Sequence, residues 1–361
     1  MTAIAVLLHD LSLGGTERVA IRLANAWSRL GCRVRLYVGD DQGIQRELVA
    51  PGVEIHAATP RIARGLGSRL WLSRWFARRC AQDRVDVAFL PGNFYFFTIG
   101  FIVSATGGAV PVFAKISNSL WRGDRSALRN RLFALLTRAR LRRARAAIAM
   151  SPSLVREANR LLGRSVRVAE LPNPVLEALP DVDESARRRS HLCAVGRLVP
   201  QKNFALLLRT LAHLGDLPVT LDIIGDGEQR AMLEGLAVSL GVAHRVRFVG
   251  AVHDVQPYLA QAEVLVLTSE FEGFPGVVVE ALAAGTFVVA RDCSPAIREL
   301  LAAPTVGTVV GGADPAALAH AVRGYFTGRD RDTTRMREIA ATHLVDTVAG
   351  RYLATFGIAD G

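Results

Sequence analysis

The stretch Thr268-Ser269-Glu270-Phe271-Glu272-Gly273-Phe274-Pro275-Gly276-Val277-Val278-Val279-Glu280-Ala281-Leu282 decides the fold. It follows the apolar run Val264-Leu265-Val266-Leu267, so a buried strand ends, a Gly/Pro loop follows and a helix begins near Gly276. The same cadence recurs in both directions. Strand-like runs lie at 4–8, 34–38, 53–56, 85–90, 112–116, 147–150 and 166–171. A second series lies at 192–195, 220–224, 247–249, 264–267, 287–290 and 308–310. Helical patterns at 16–30, 205–213, 228–240 and 276–284 fall between them. This βαβ repetition predicts an α/β protein of two doubly wound, Rossmann-like domains with parallel sheets. Residues 176–190 interrupt it with Pro180, Asp181, Asp183, Glu184 and the run Arg187-Arg188-Arg189, and read as a linker. The expected division is an N-terminal domain 1–175, a linker 176–190, a C-terminal domain 191–335, and a helical segment 336–361 packing back on the first domain. Ligands of such sheets bind at the carboxyl ends of strands, so a cleft between the domains is the expected site.

The composition narrows the classes. The 361 residues are 50% apolar and 7% aromatic, which excludes a disordered chain. Cys32, Cys80, Cys193 and Cys293 form no CxxC or Cys/His cluster, so four buried thiols in a reducing, cytoplasmic compartment are expected rather than a metal site. The N-terminus shows no signal-peptide pattern. Residues 87–114 carry no charge, but Pro91-Gly92-Asn93 and Gly107, Gly108 and Pro111 cut the run down to 94–106, short of the ~20 residues of a span.

Charge is lopsided. Residues 1–170 hold 27 Lys+Arg against 11 Asp+Glu, and the remainder 17 against 22. The first half is therefore cationic and faces an anionic partner. Residues 61–79 mix six arginines with Trp71, Trp75 and Phe76, and 122–145 hold nine arginines among leucines. Both suit an anionic membrane surface, with Trp71 and Trp75 on one helix face. No nucleic-acid-binding motif accompanies the charge. Solvated faces of an Arg-rich protein would look the same.

Three loops carry the chemistry. Gly14-Gly15-Thr16-Glu17-Arg18 follows the first strand and opens a helix, where glycines bring amides to an anion, although a Thr-capped turn reads identically. Gly196-Arg197-Leu198-Val199-Pro200-Gln201-Lys202-Asn203 ends a strand and places two cations five residues apart, as a diphosphate clamp requires. Each charge-assisted hydrogen bond there contributes about 1.5–3 kcal/mol. Glu272 on the loop and Glu280 in the helix offer carboxylates to vicinal hydroxyls of ribose or hexose.

With these motifs the chain resembles the retaining GT-B glycosyltransferases of family 4, the group 1 glycosyl transferases. The resemblance covers Gly14 to Arg18, Ser151-Pro152-Ser153, Leu171-Pro172-Asn173-Pro174, Gly196 to Asn203, Ile224-Gly225-Asp226-Gly227, Phe248-Val249-Gly250 and the E-x7-E motif from Glu272 to Glu280. It implies that Arg197 and Lys202 hold the donor diphosphate, and that Glu272 meets the sugar beside the backbone of Gly273, Phe274, Pro275 and Gly276. Glu280 would bind the ribose, the segment at Val252 the base, and Gly14, Gly15 and Thr16 the phosphates. Members transfer hexoses with retention and commonly without a metal. Asp181-Val182-Asp183 and Asp330-Arg331-Asp332 are therefore read as solvated decoys.

One departure stands out. Many relatives carry a His after the fifth strand, facing the donor sugar. This chain reads Lys115-Ile116-Ser117-Asn118-Ser119, with no His between His56 and His191. Asn118 and Ser117 are left to supply hydrogen bonds and Lys115 a charge, unless all three form only a polar loop. The expected activity is transfer of a hexosyl group from a nucleotide sugar, a UDP-sugar rather than a GDP-sugar, with no cofactor. The expected acceptor is a hydroxyl of a saccharide or lipid-linked saccharide, at the inner membrane face in cell-surface polysaccharide assembly. Alternatives are a soluble transferase on a small acceptor, a silent sugar-nucleotide-binding scaffold, and an epimerase of related fold.

Overall fold

Two units make up the computed structural model, which describes residues 1–12, 14–121, 126–328 and 330–358: Met1–Pro174 with the C-terminal helix, and Val175–Leu344. In the first, β1 (Ala3–Leu8), α1 (Gly15–Arg29), β2 (Arg33–Val38) and β3 (Val53–Ala57) are followed by α2 (Ser68–Gln82), β4 (Val87–Leu90) and α3 (Ile99–Ala105). Then come β5 (Val112–Ile116), α4 (Ala127–Leu141), β6 (Ala146–Ala149), α5 (Pro152–Leu162) and β7 (Val168–Glu170). The sheet is parallel, in the order β3-β2-β1-β4-β5-β6-β7, so strand order reverses between β1 and β4. β1, β4, β5 and β6 are buried at every position, as parallel strands covered on both faces must be.

The second unit runs β8 (His191–Val195), α6 (Phe204–Ala212), β9 (Thr220–Ile224), α7 (Arg230–Ser239), β10 (Val246–Gly250) and α8 (Gln256–Gln261). It continues with β11 (Val264–Leu267), α9 (Gly276–Ala283), β12 (Phe287–Arg291), α10 (Pro295–Leu300), β13 (Gly307–Val310), α11 (Pro315–Phe326) and α12 (Thr333–Ala341). Its parallel order is β10-β9-β8-β11-β12-β13, with the reversal between β8 and β11. All four cysteines are buried free thiols. Among the described residues no helix is long and apolar enough to cross a membrane.

The structure redraws the expected boundaries. Residues 176–190 are not a free linker but part of the second unit. Arg187 reaches the Ala284 carbonyl at 3.0 Å, the Arg188 amide the Gln261 carbonyl at 2.8 Å, and the Ser190 amide the Glu263 carboxylate at 2.6 Å. A basic run thus satisfies helix-end carbonyls rather than solvent. The expected segment 336–361 is split: α12 packs against α9, whereas α13 (Val345–Phe356) belongs to the first unit. There Trp27 donates to the Ala349 carbonyl at 3.2 Å, and Phe356 meets Phe113 at 4.5 Å between ring centroids. The strand expected from residue 85 begins at Val87, because Asp86 instead uses its carboxylate to accept the Ala3 amide at 2.8 Å.

The basic aromatic helix also differs. Trp71 is 65% exposed, but Trp75 packs edge-on to Tyr37 at 5.9 Å and Phe76 is fully buried. The two Trp rings therefore do not form one solvent-facing pair. Arg122 and Arg125 of the second basic segment lie outside the described residues.

Candidate active site

In the second unit the site is built where the loops after β8, β9 and β10 meet. The Gly196 amide donates to the Ile224 carbonyl at 2.9 Å, Leu198 to Asp226 at 2.9 Å, and Gly225 to Gly250 at 2.8 Å. Two glycines permit this closeness: a Cβ on Gly225 would lie 2.0 Å from the Gly196 carbonyl oxygen, and one on Gly227 would lie 2.6 Å from that of Leu198. The motif Ile224-Gly225-Asp226-Gly227 is thus the floor under the Gly196-Arg197-Leu198 turn. Arg197 on that turn is exposed and makes no ion pair among the described residues.

Across the strand reversal, the loop after β11 faces this turn. Lys202 Nζ lies 2.6 Å from Glu272 Oε1, which also accepts from Ser269 Oγ at 2.7 Å. The Glu272 amide is tied to the Cys293 carbonyl at 3.1 Å, and Thr268 Oγ1 donates to the Lys202 carbonyl at 3.0 Å. Both charged side chains are mostly buried, at 19% and 10% exposure, so the pair is held rather than solvated. Glu270, beside it, is paired to Arg291 at 2.7 Å, and the Arg291 hydrogen bond draws its carboxyl below the usual range.

Glu280 is half-buried on α9, just over one turn past its first residue Gly276. α9 starts at Gly276 without a side-chain cap, so its first amides are offered to a ligand. A Cβ on Gly276 would meet nothing closer than Val175 at 3.8 Å, so packing within the unit does not require a glycine there. Pro275 is buried, Gly273 and Val252 are half-buried, and the Phe274 ring lies 5.1 Å from His343, which sequence reasoning did not single out.

In the first unit the corresponding reversal lies between β1 and β4. A Cβ on Gly92 would sit 3.0 Å from Thr16 and 3.1 Å from Ser117, so three loops converge there. The Ser117 amide donates to Asn93 Oδ1 at 2.9 Å, and Asn93 Nδ2 to the Asn118 carbonyl at 3.0 Å. Asn118 is exposed at this edge. α1 opens at Gly15 with no side-chain cap from Gly14, and Gly15 has open space around it.

Lys115 is not part of this edge, contrary to the expectation. It is 2% exposed, inside β5, and its amine donates to Asn173 Oδ1. Burial lowers its pKa from 10.5 to about 7. The strand aims this side chain into the interior, whereas Ser117 and Asn118 lie beyond the strand end.

The structure adds His9 and Asp10, which follow β1 directly. Asp10 is bound by Arg64, which also reaches Glu17 at 3.3 Å. Burial raises the Asp10 carboxyl pKa, but hydrogen bonds from Arg64 and Ser12 outweigh it and hold the value at about 2. His9 is buried, 3.3 Å from Ser68 Oγ, and burial lowers its pKa. The polar pair at the end of an apolar strand was a readable signal. Its partner 54 residues away was not. The Asp-rich triplets serve elsewhere: Asp183 accepts from the Ser185 amide, and Asp332 caps α12 through the Arg335 amide at 2.8 Å.

Comparison with known proteins covers both units. The family model "Glycosyl transferase 4-like domain" matches residues 14–174, and "Glycosyl transferases group 1" matches 189–327. A lipopolysaccharide core biosynthesis glycosyltransferase, LpsE of Rhizobium meliloti (strain 1021), is 43% identical over 96 residues, 27% of this chain and 28% of that protein. A Campylobacter jejuni N-acetylgalactosaminyltransferase, named for a diphospho-undecaprenol-linked substrate, is 33% identical over 141 residues, 39% and 38% of the two chains. The matches therefore span about a third of the length of these relatives. In fold, the Anabaena protein HepE, crystallised with UDP-glucose, superposes with a TM-score of 0.78 at 19% identity, covering 99% of this chain and 100% of that one. The two family models, which together cover most of the chain, place it in the group 1 glycosyl transferases, and the likeness over the whole chain gives it the GT-B fold.

Proposed function

We propose that this glycosyltransferase moves a hexosyl group from a UDP-sugar to a hydroxyl of a lipid-linked saccharide, with retention and without a metal, in cell-surface polysaccharide assembly at the inner face of the membrane. The observation that carries the reading is the Lys202–Glu272 pair beside the exposed Arg197, at the strand reversal of the second unit. A donor diphosphate brings more negative charge than Glu272 and competes for Lys202. Arg197 supplies the second cation of the clamp. Glu272, kept in place by Ser269, then accepts from the sugar hydroxyls, and Glu280 from the ribose. The open glycines Gly15 and Gly276, each at an uncapped helix start, let phosphate approach backbone amides.

In the proposed reaction the bond from the anomeric carbon to the phosphate oxygen breaks as the acceptor oxygen bonds to the same face. The acceptor proton passes to the departing phosphate. No enzymic nucleophile is needed, so the residues act by positioning and by stabilising charge on the leaving group. Asn118 and Ser117 are the side chains we assign to orienting the acceptor. The charge that a divalent ion supplies elsewhere comes from Arg197 and Lys202.

The donor reading is supported by HepE having been crystallised with UDP-glucose, and the acceptor reading by the lipopolysaccharide and undecaprenol-linked names of the relatives. Thermal shift with a panel of nucleotide sugars tests it, because a ligand of the native state raises stability by mass action. UDP-hexoses should raise the midpoint and GDP-sugars should not. No shift with any nucleotide sugar, or unchanged kinetics in Lys202→Ala, would overturn the site.

A further inference from the structure

Helix α4 is inside out. Its buried positions are Asn130, Ala134, Thr137 and Leu141, and the Thr137 hydroxyl is buried without a hydrogen-bond partner. Four of its five leucines face the other way: Leu128, Leu132, Leu135 and Leu136 are 77, 56, 63 and 47% exposed. At about 100° per residue these four fall within about 100° of arc, opposite the buried set. Arg129 and Arg140 flank the leucines on one side, and Arg131 and Arg138 on the other. A leucine stripe of this size is ordinarily the core-facing side of a helix, and exposing it marks a surface that meets something.

Two further observations identify the partner. Residues 126–145 contain seven arginines and no Asp or Glu. Beside the stripe, the Arg140 guanidinium lies 5.5 Å from the Phe97 ring centroid, and Arg69 of α2 lies 5.3 Å from the same ring and 5.1 Å from Phe94. Neither arginine makes an ion pair among the described residues, and Arg69 Nε is buried without a hydrogen-bond partner. Burial and the neighbouring Arg140 charge both work against the protonated form of Arg69. Two cations held on one ring, with no acid between them among the described residues, form a site that an anion completes.

We infer that this α4–α2 face docks on an anionic phospholipid bilayer, with the four leucines at the acyl-chain boundary, the flanking arginines at headgroup level, and Arg69 and Arg140 sharing one headgroup phosphate. The inference rests on the membrane-linked acceptor proposed above, and moves the anchor from the Trp71–Trp75 pair, whose second ring is spent on Tyr37. A second copy of the chain would set one arginine belt against another, and a nucleic acid would leave the leucines without a partner. A bilayer satisfies both features.

The test is flotation of the full chain with vesicles of phosphatidylcholine alone and of phosphatidylcholine with phosphatidylglycerol, at low and high salt. Binding should require phosphatidylglycerol and weaken with salt, since exposed charges are screened. Leu132→Ser combined with Leu135→Ser should weaken partitioning at least about tenfold while leaving tryptophan fluorescence unchanged. Arg69→Gln combined with Arg140→Gln should remove much of the preference for the anionic vesicles. Equal flotation of the leucine variant overturns the inference, as does equal binding to neutral vesicles. So does a wild-type dimer that the leucine variant abolishes while vesicles are ignored. Transfer assayed in detergent separates the two readings. Transfer to a lipid-linked saccharide without vesicle docking removes this surface and leaves the acceptor standing. Docking without such transfer does the reverse.

Discussion

Lys115→Met should make the first unit more stable at neutral pH, and should remove a specific slope from its pH dependence. The wild-type amine is 2% exposed and burial alone lowers its pKa from 10.5 to about 7. A shift of that size corresponds to about 5 kcal/mol against the protonated form, as an upper figure. The sign follows from linkage. The folded pKa lies below the unfolded one, so between about pH 7 and 10.5 the unfolded chain binds more protons, and stability rises with pH. Below pH 7 the penalty is complete and flat. Between pH 7 and 8.5 the wild type should recover on the order of 1–2 kcal/mol through this group, and Lys115→Met should recover none of it. Methionine retains the apolar stem and carries no charge to bury.

Urea unfolding followed by tryptophan fluorescence is the assay. All four tryptophans, Trp27, Trp71, Trp75 and Trp121, belong to the first unit, so the signal reports the unit that holds Lys115. The buried thiols titrate in the opposite sense at higher pH, because burial raises their pKa from 9.0. Stopping at pH 8.5 and comparing the two proteins removes that contribution. Parallel pH slopes for wild type and variant would refute the burial argument. A variant several kcal/mol weaker at pH 7 would show instead that the hydrogen bond to Asn173 outweighs the cost of burying the amine.

Arg197→Ala and Lys202→Ala should each cost about 2–3 kcal/mol of transition-state stabilisation, read as kcat/KM against the preferred nucleotide sugar. Glu280→Gln should chiefly raise the Kd for the nucleotide by calorimetry, and Glu272→Gln should lower kcat more than binding. Transfer should survive excess chelator; loss of activity restored by Mg²⁺ or Mn²⁺ would return attention to Asp183 and Asp332. Gly225→Ala should destabilise the second unit by several kcal/mol in a thermal scan, because its Cβ would fall 2.0 Å from the Gly196 carbonyl oxygen and φ is +137°.

What the sequence made legible was local. A parallel strand covered on both faces is a short continuous apolar run, so Ala3–Leu8 and Val264–Leu267 announce themselves, and the loop that leaves each strand end carries its chemistry within a few residues. Glu272 and Lys202 were therefore nameable from spacing, and Gly225 from the family resemblance. What failed depended on partners far along the chain. Residues 176–190 have a linker's composition, yet Arg187 and Arg188 bind carbonyls 97 and 73 residues away, and composition carries no trace of that. Lys115 and Ser117 differ by two positions, but one sits inside a strand and the other past its end. Hydrophobic pattern cannot show that a lone lysine has been drawn into the interior by Asn173, 58 residues on. Helix α4 shows the opposite case. Its arginines among leucines suited a membrane surface by composition alone, and burial shows which face is which: Leu128, Leu132, Leu135 and Leu136 point outward, with Asn130 and Thr137 taking the core side. A pattern of spacing fixes which residues share a face. The environment decides what that face meets, and for the apolar stripe between two arginine flanks on α4 the match we propose is a lipid headgroup boundary rather than a protein core.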